Sequence, residues 1–164
     1  MMSGVPVVSI VGKSGSGKTT FLEKLLPELK RRGYRVATVK HDIHGFDIDH
    51  PGKDTWRHAQ AGADAVIISS PHRIALIQRR DGEMPLDEIA TFVRDVDLII
   101  TEGYKRGDKP KIEVCRRARS TELICNPDEL IAIVSDQSFS LKVPQFGLED
   151  AAGVASLLEQ EFLR

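Results

Sequence analysis

The sequence has 164 residues, of which 41% are hydrophobic and 29% are charged, and its formal net charge is −1. This length and composition are those of a globular protein with a sizeable core, so we expect residues 1–164 to form one domain. Because the charges nearly cancel, no overall field would draw nucleic acid or an anionic membrane to the surface. No apolar run approaches the ~20 residues that a membrane-spanning helix needs.

The cysteines and the N-terminal residues indicate a cellular location. Cys115 and Cys125 form no C-x-x-C pair and have no metal-ligand spacing, as is typical of reduced thiols in the cytosol. The first apolar run has no basic segment before it and ends at Lys13, which argues against a signal peptide. We therefore expect a cytoplasmic protein without a membrane partner.

Residues 12–19, Gly-Lys-Ser-Gly-Ser-Gly-Lys-Thr, match the phosphate-loop pattern G-x-x-x-x-G-K-[ST] at every fixed position. The apolar, β-branched run 5–11 predicts a buried parallel strand before the loop. Helical spacing follows the loop, with an apolar face formed by Phe21, Leu22, Leu25, Leu26 and Leu29. Strand, loop and helix in this order are the context that a phosphate loop requires.

The loop has the residue types that polyphosphate binding needs. Its glycines allow a tight turn with inward N–H groups, and the following helix adds its positive end. Lys18 can reach the β- and γ-phosphates, and the Thr19 hydroxyl can ligate Mg²⁺. The predicted nucleotide-binding residues are Gly12, Lys13, Ser14, Gly15, Ser16, Gly17, Lys18, Thr19 and Thr20.

Apolar runs then alternate with helical patterns along the chain. Strands are predicted at 35–40, 65–70, 73–79, 96–101, 111–115 and 130–135, and helices at 54–62, 84–94 and 149–163. Asp54 is the expected N-cap of its helix. Only Pro71-His72 joins two of the strands, so this pair should be antiparallel or diverge. The pattern predicts an α/β three-layer sandwich with a mostly parallel sheet and an antiparallel extension.

Acidic residues near the carboxyl ends of the strands are the better candidates for the site, because ligands of open α/β sheets bind there. Glu102 follows the 96–101 strand at that end. Asp97 lies at the opposite end, about 16 Å from Glu102 at about 3.3 Å per residue. We therefore predict that Glu102 holds Mg²⁺ or polarises the attacking water. Asp97 is expected to be a strand-entry residue or a salt-bridge partner.

The polar loop 41–53 leaves the 35–40 strand at the same edge, where it would face the γ-phosphate. Asp42 is a candidate for binding Mg²⁺ or for orienting water. The many His and Asp residues of the loop also suit a transition-metal site, although His41, His44 and His50 lack the spacing of a helical pair. A polar switch or partner-binding loop is the favoured interpretation, and a metal site is the alternative.

Two further groups lie near this edge. A basic run after Glu102 is either a solvated loop or a site for a second phosphorylated ligand or an acidic partner, and it contains Lys105, Arg106, Lys109 and Lys111. Asp136 follows the 130–135 strand, where a carboxylate can accept two N–H bonds from the edge of guanine. No N-K-x-D motif is present, so spacing does not show a preference for guanine.

Together these motifs resemble the molybdopterin-guanine dinucleotide biosynthesis protein B family, the MobB-type adaptor GTPases. The resemblance extends over nearly the whole chain, and the stretches that carry it are 12–20, 40–44, 47–54, 61–63, 102–105 and 132–136. The D-x-D-x-P-G-K-D spacing of 47–54 is the most specific of them, because phosphate loops occur in many families.

The resemblance implies a homodimer with the P-loop NTPase fold that binds GTP and hydrolyses it weakly. Such a protein would assist the cytoplasmic guanylyltransferase that joins GMP to molybdopterin and would contact other proteins of the molybdenum cofactor pathway, with molybdopterin as a further candidate ligand. Lys13 has the position of a second loop lysine that reaches the partner subunit's phosphates in some relatives, and Ser14 stands where they have Gly. The antiparallel pair around Pro71-His72 is the candidate dimer contact.

Three functions remain open on the residues alone. In an adaptor GTPase, Mg²⁺-GTP is attacked in line by water, with Lys18, Glu102 and Asp42 as catalytic residues and Thr19, Glu102 and Asp42 as Mg²⁺ ligands. A small-molecule kinase would need an acceptor pocket and a base, for which Asp42 or Glu102 is the candidate. A metal-insertion GTPase would use the His-rich loop. No arginine finger is assignable, which agrees with weak turnover, and we favour the adaptor GTPase.

Overall fold

The structure is a computed structural model, and it describes residues 4–163. In chain order its elements are β1 (Val7–Val11), α1 (Lys18–Arg31), β2 (Val36–Lys40), α2 (Asp54–Gln60), β3 (Ala65–Ser69), β4 (Ile74–Gln78), α3 (Leu86–Ala90), β5 (Leu98–Glu102), β6 (Lys111–Cys115), β7 (Leu130–Ser135), β8 (Gln145–Phe146) and α4 (Ala151–Phe162). Backbone contacts divide the chain into two compact units. The second unit is Asp42–Ile89, and the first comprises the described residues on either side of it.

The first unit is built on a six-stranded sheet with the order β2-β5-β1-β6-β7-β8, in which every neighbouring pair is parallel. β1 and β6 are buried along their whole length. The mostly apolar sequence of β1 predicts this, whereas β6 buries two charged residues, Lys111 and Glu113. The predicted α/β fold with a mostly parallel sheet is therefore confirmed. The phosphate loop leaves β1, a strand with neighbours on both sides.

One face of this sheet packs against α1 and α4. Alternate strand residues point to the same face, so Val8, Ile10 and Ile100 enter one cluster with Leu25 of α1 and Leu158 of α4. Each of these aliphatic side chains is at most 2% exposed, and such burial contributes about 1.5–3 kcal/mol per side chain. The core holds α1 rigidly behind the phosphate loop.

The second unit contains the predicted antiparallel pair, in which Val66 lies opposite Ile77. The prediction of antiparallel pairing is confirmed. The pair forms a two-stranded sheet of its own, however, and adds no strand to the six-stranded sheet. The short link lets β3 and β4 satisfy each other's backbone groups locally, and β3 packs on α2.

Three local predictions were wrong or incomplete. α3 covers only Leu86–Ala90 instead of 84–94, because β-branched and aromatic residues follow it and Asp95 has a left-handed backbone with φ 57°. Lys53 is the N-cap of α2, and Asp54 is its first helical residue, where its charge favours the positive helix end. Strand β8 was not predicted, because its two residues carry no periodic signal.

Among residues 4–163, no helix is long and apolar enough to cross a membrane.

Candidate functional site

The phosphate loop joins β1 to α1, and its backbone requires glycine at its two ends. Gly12 has φ 154°, and a Cβ there would lie 2.5 Å from the carbonyl oxygen of Val114. Gly17 is the N-cap of α1, with φ 97° and ψ 22° in the left-handed region. The first N–H groups of α1 have no hydrogen-bond partner within the helix, and they point towards the phosphate loop. This cradle has the shape and polarity that fit a phosphate group.

Lys18 folds back over the loop. Its Nζ donates to the carbonyl oxygens of Gly12 and Lys13, at 2.8 and 3.2 Å. Burial lowers the pKa of Lys18 from its ordinary value, and the Glu102 carboxylate opposes that effect. The contacts are to neutral acceptors, so the ammonium charge is left without a full countercharge.

Two more lysines add to this positive field. The ammonium groups of Lys40 and Lys105 lie close enough to lower the pKa of Lys18 further. Lys40 Nζ is also 3.5 Å from Glu102 Oε1. The ammonium groups of Lys40 and Lys105 thus lie near that of Lys18, an arrangement that favours a bound anion.

Glu102 ends β5 beside the phosphate loop. Parallel pairing places it opposite Ile10 of β1, and Thr19 Oγ1 donates to its Oε1 at 2.6 Å. Hydroxyl and carboxylate oxygens are the ligands that Mg²⁺ takes in proteins, so the two side chains fit the predicted metal role, which stays a prediction. Asp97 lies at the opposite end of the strand, where its Oδ2 accepts the Arg35 N–H at 2.7 Å; this is the predicted strand-entry role.

The turn after β5 is held by a ring stack that the sequence did not reveal. The rings of His41 and Tyr104 are stacked, with centroids 4.3 Å apart and planes at 15°. Tyr104 has φ 61°, a left-handed conformation that costs a bulky residue about 1–3 kcal/mol. The His41 N–H donates to the Glu102 carbonyl oxygen at 2.9 Å. Stack and hydrogen bond together fix the direction in which Glu102 leaves the sheet.

Asp42 is the first residue of the second unit. Its Oδ1 accepts the backbone N–H of His44 at 3.0 Å, a turn within its own loop. Its assignment as a Mg²⁺ ligand or water-orienting residue therefore stays a prediction. Among residues 4–163, no group of three or more His, Cys, Asp or Glu side chains could hold a metal ion. The His-rich loop thus gains no support as a dedicated metal site.

The basic run after β5 is only partly available to a ligand. Lys111 is 2% exposed, and its Nζ donates to the Gly107 carbonyl oxygen at 2.5 Å and lies 3.4 Å from Glu129. The interpretation of Lys111 as part of a site for a second phosphorylated ligand was wrong, because the start of β6 is buried in the sheet. Lys105 and Arg106 are exposed, and a role for them in binding a second ligand stays a prediction.

The segment after β6 contacts the phosphate loop, and sequence reasoning did not find it. Arg116 Nη2 donates to the Gly15 carbonyl oxygen and Arg119 Nε to that of Ser14, each at 2.7 Å. Lys13 Nζ donates to Ser120 Oγ at 2.8 Å, so its ammonium group is held within its own chain. The available signal was three arginines within four residues directly after a strand.

Asp136 follows β7 at the carboxyl edge of the sheet and is exposed. Its Oδ1 accepts the backbone N–H of Arg117 at 2.8 Å, which fixes the carboxylate at the sheet edge. The Ser16 hydroxyl is the one buried side-chain polar atom without a hydrogen bond in the part of the chain that the structure describes. The predicted roles of Asp136 and of Ser16 in binding a nucleotide stay predictions.

The fold and the loop geometry define an α/β protein of the P-loop NTPase type. A family model described as "Molybdopterin guanine dinucleotide synthesis protein B" (MobB) matches residues 7–136. The chain belongs to this family, which confirms the resemblance of its motifs. The matched range begins at β1 and ends at Asp136, so it includes every predicted site residue.

Individual relatives agree with the family model. The chain is 39% identical over 137 residues to a protein of Haemophilus influenzae, covering 82% of this chain and 76% of the relative. It is 35% identical over 161 residues to a protein of Escherichia coli K12, covering 94% and 91%. Both are named molybdopterin-guanine dinucleotide biosynthesis adapter protein. A crystal structure of molybdopterin-guanine biosynthesis protein B (mobB) superposes with a TM-score of 0.73 at 30% identity, covering 96% of this chain and 99% of that one.

Proposed function

We propose that this protein is a cytoplasmic adapter in molybdopterin-guanine dinucleotide biosynthesis that binds Mg²⁺-GTP and hydrolyses it weakly. Membership of the MobB family supports the pathway, and the adapter role is the one in the names of both relatives. The observation that carries the nucleotide part is the cradle at α1, where Lys18 closes the loop and Thr19 meets Glu102 at 2.6 Å. Its partner in the pathway would be the guanylyltransferase that joins GMP to molybdopterin, with molybdopterin as a second candidate ligand.

The residues of the cradle divide the work of holding a triphosphate. Loop N–H groups would donate to the α- and β-phosphate oxygens, and Lys18 would exchange the carbonyls of Gly12 and Lys13 for phosphate oxygens. That exchange is favourable because hydrogen bonds between two charged groups are roughly twice as strong as those to neutral acceptors. Thr19 and Glu102 would hold Mg²⁺, which supplies charge neutralisation between the phosphates. The acidic residue that orients the attacking water is Glu102 or Asp42.

Slow hydrolysis fits the arrangement of the arginines. Arg116 and Arg119 both donate to loop carbonyls, so neither guanidinium is positioned as a finger over a γ-phosphate. An arginine finger accelerates phosphoryl transfer by about 10³–10⁵, and a site without one turns over slowly. Weak turnover suits an adapter, for which the bound state matters more than product.

A ligand panel tests the nucleotide part of the proposal. Calorimetry with GTP, GDP and ATP, with and without Mg²⁺, is expected to show Mg²⁺-dependent GTP binding. Lys18→Ala should abolish that binding without lowering the melting temperature. Lys30→Ala, which removes an exposed ammonium group from the same helix, is the matched control. GTP affinity retained by Lys18→Ala would refute the proposal, and transfer of phosphate to a pterin or nucleoside would favour the kinase instead.

We also propose that the protein is a homodimer through the outer face of the β3–β4 pair. Ile67 lies opposite Leu76 and Ser69 opposite Ile74 in the pair, so these side chains share a face. Ile67, Ile74 and Leu76 are 60%, 75% and 46% exposed. The pair packs on α2 through β3, and a second copy of the exposed face would cover these aliphatic side chains.

Light scattering after gel filtration tests the dimer. The double variant Ile67→Ser/Ile74→Ser should shift the molecular mass from two chains to one. Ile68→Ser changes an exposed residue of the same strand on the opposite face and should leave the mass unchanged. A wild-type protein that runs as a monomer at all concentrations would refute the dimer while leaving GTP binding intact.

A further inference from the structure

The residues after β6 hold the phosphate loop from its outer side. Arg116 donates to the carbonyl oxygen of Gly15 and Arg119 to that of Ser14, both at 2.7 Å. The Arg116 side chain also lies 3.4 Å from where a Cβ of Gly17 would be. Each guanidinium therefore binds a backbone carbonyl and packs along the loop at the same time.

The same segment is itself anchored to the sheet. Ser120 Oγ accepts Lys13 Nζ at 2.8 Å, and the Ser120 carbonyl oxygen accepts Gln137 Nε2 at 3.0 Å. Gln137 lies just after β7, and its N–H donates to Ser135 Oγ at 3.0 Å. The arginines are thus attached to a segment that the end of β7 holds in place, so their contacts can fix the loop.

These contacts bear on phosphate binding because a peptide group is planar. The C=O and N–H of one trans peptide point in opposite directions, so a carbonyl held on the outer side turns its N–H to the inner side. For the peptide that joins Ser14 to Gly15, holding the Ser14 oxygen directs the Gly15 N–H inward. The guanidinium charge also polarises the peptide, which makes that N–H a stronger donor. In the next peptide, whose Gly15 oxygen Arg116 holds, the Ser16 N–H donates to the Lys13 carbonyl oxygen at 3.0 Å, so this contact fixes the turn of the loop.

We propose that Arg116 and Arg119 are positioning residues of the nucleotide site, which set the conformation of the phosphate loop and thereby its affinity for the α- and β-phosphates. The inference rests on the proposed GTP binding and adds residues to that site. The guanidinium groups act through the loop carbonyls of Gly15 and Ser14 and do not touch the phosphates. GTP and GDP share the α- and β-phosphates, so both nucleotides should depend on the two arginines equally.

The affinity test uses Arg116→Gln, Arg119→Gln and the double variant, with Arg117→Gln as the charge-matched control. The Arg117 contact to Asp136 comes from its backbone N–H, which the control keeps. Calorimetry should show that each single variant loses about three- to tenfold in affinity for GTP and for GDP alike. The control should stay within about twofold of wild type, as for other surface substitutions. A loss confined to GTP would overturn the proposal in favour of direct contact with the γ-phosphate.

Amide hydrogen exchange of the nucleotide-free protein separates this inference from the proposed function. The double variant should exchange the amides of residues 14–17 faster than wild type, and Arg117→Gln should not. Unchanged exchange and unchanged affinity would overturn the inference while GTP binding by the wild type stands. A wild type that binds neither nucleotide would refute the proposed function, and the exchange rates would still decide whether the arginines hold the loop. A fall in melting temperature with exchange and affinity unchanged would assign them a purely structural role.

Discussion

The two units differ in how their strands are buried. All five residues of β1 and of β6 in the first unit are buried. In the second unit, β3 has one buried residue and β4 has none. The first unit therefore obtains its stability from its own core, whereas the second presents apolar side chains on its surface.

The two units contain different parts of the proposed functional site. The phosphate loop, Glu102 and the residues after β6 all lie in the first unit, where a packed sheet can hold donors in fixed positions. The second unit contains the 47–54 stretch that is most specific to the family, and it has a cavity of ≈ 500 Å³ lined by residues that include Phe46, Asp49 and Trp56. A packed unit for the proposed nucleotide site and an exposed surface for the proposed partner would suit the adapter function proposed above.

The largest effect expected from this comparison is on stability. Ile100→Ala removes a side chain that is fully buried in the first unit and should lower the free energy of unfolding by about 2–5 kcal/mol. Ile67→Ala makes the same change at an exposed position of β3 and should cost about 0.5 kcal/mol or less. Urea denaturation followed by circular dichroism measures both.

The dependence of these two stability costs on protein concentration tests whether a second copy covers the exposed face. If a second copy covers Ile67, the cost of Ile67→Ala should rise with concentration, because dimerisation stabilises the folded state by mass action. The cost of Ile100→Ala should not depend on concentration. Equal costs for both variants at low concentration would contradict the contrast between the two units.

A second prediction compares one carboxylate from each unit. Glu102→Gln should weaken GTP binding about tenfold or more in the presence of Mg²⁺, because a charged partner of Thr19 is lost. Without Mg²⁺ the loss should be smaller. Asp42→Asn should have a weaker effect, since the Asp42 side chain is exposed and holds its own loop. Calorimetry with and without the metal gives all four affinities.

An Asp42 effect as large as that of Glu102 would contradict the expectation that Glu102 is the more important carboxylate for nucleotide binding. In that case the second unit would contribute a ligand to the nucleotide site. Unchanged Mg²⁺ dependence in Glu102→Gln would remove Glu102 from the metal site. Lys53→Gln, an exposed change in the second unit, serves as the control for general effects of substitutions there.

Local patterns predicted the parts of the structure that depend on local physics. The phosphate loop and its flanking elements follow from adjacent residues, and the position of Glu102 follows from counting along one strand. The two residues of β8 carry no periodicity, and their pairing depends on the neighbouring β7. Sequence reasoning therefore finds elements long enough to show a period.

The missed site residues depend on tertiary proximity. The stack of His41 on Tyr104 joins residues that follow two different strands, and Arg116 lies 101 positions from the Gly15 carbonyl that it binds. No spacing rule relates such pairs. The β3–β4 pair was predicted to extend the main sheet, but it forms a separate two-stranded sheet. Its sequence pattern predicts antiparallel pairing and does not specify whether the pair joins another sheet.

A third prediction concerns base recognition at the edge of the first unit. Asp136→Asn should weaken GTP about fivefold or more and ATP by much less, because a guanine edge donates two N–H bonds to a carboxylate and an amide NH₂ cannot accept them. Competition calorimetry with the two nucleotides measures the ratio. Asp128→Asn, at an exposed turn before β7, is the control. Equal losses of GTP and ATP would remove Asp136 from base recognition.

The smallest effect expected lies on the surface of the first unit, where α1 meets α4. Hydrogen bonds from Arg31 and then Arg32 lower the pKa of Glu28 to about 2, and Arg32 also contacts Glu159 of α4 at 2.8 Å. A carboxyl whose folded pKa is depressed adds stability above its unfolded pKa of about 4.3. That contribution is lost as the pH falls from there to about 2.

Glu28→Gln removes this titration. The variant should be slightly less stable than wild type at pH 7, and the difference should shrink between pH 5 and pH 2 because the wild-type carboxyl becomes protonated. Urea denaturation at several pH values measures this, with Glu23→Gln on the exposed side of α1 as the control. A difference that is constant with pH would show that Glu28 acts through packing. Since ion pairs at a protein surface contribute little to stability, the core beneath this contact should account for most of the stability of the first unit.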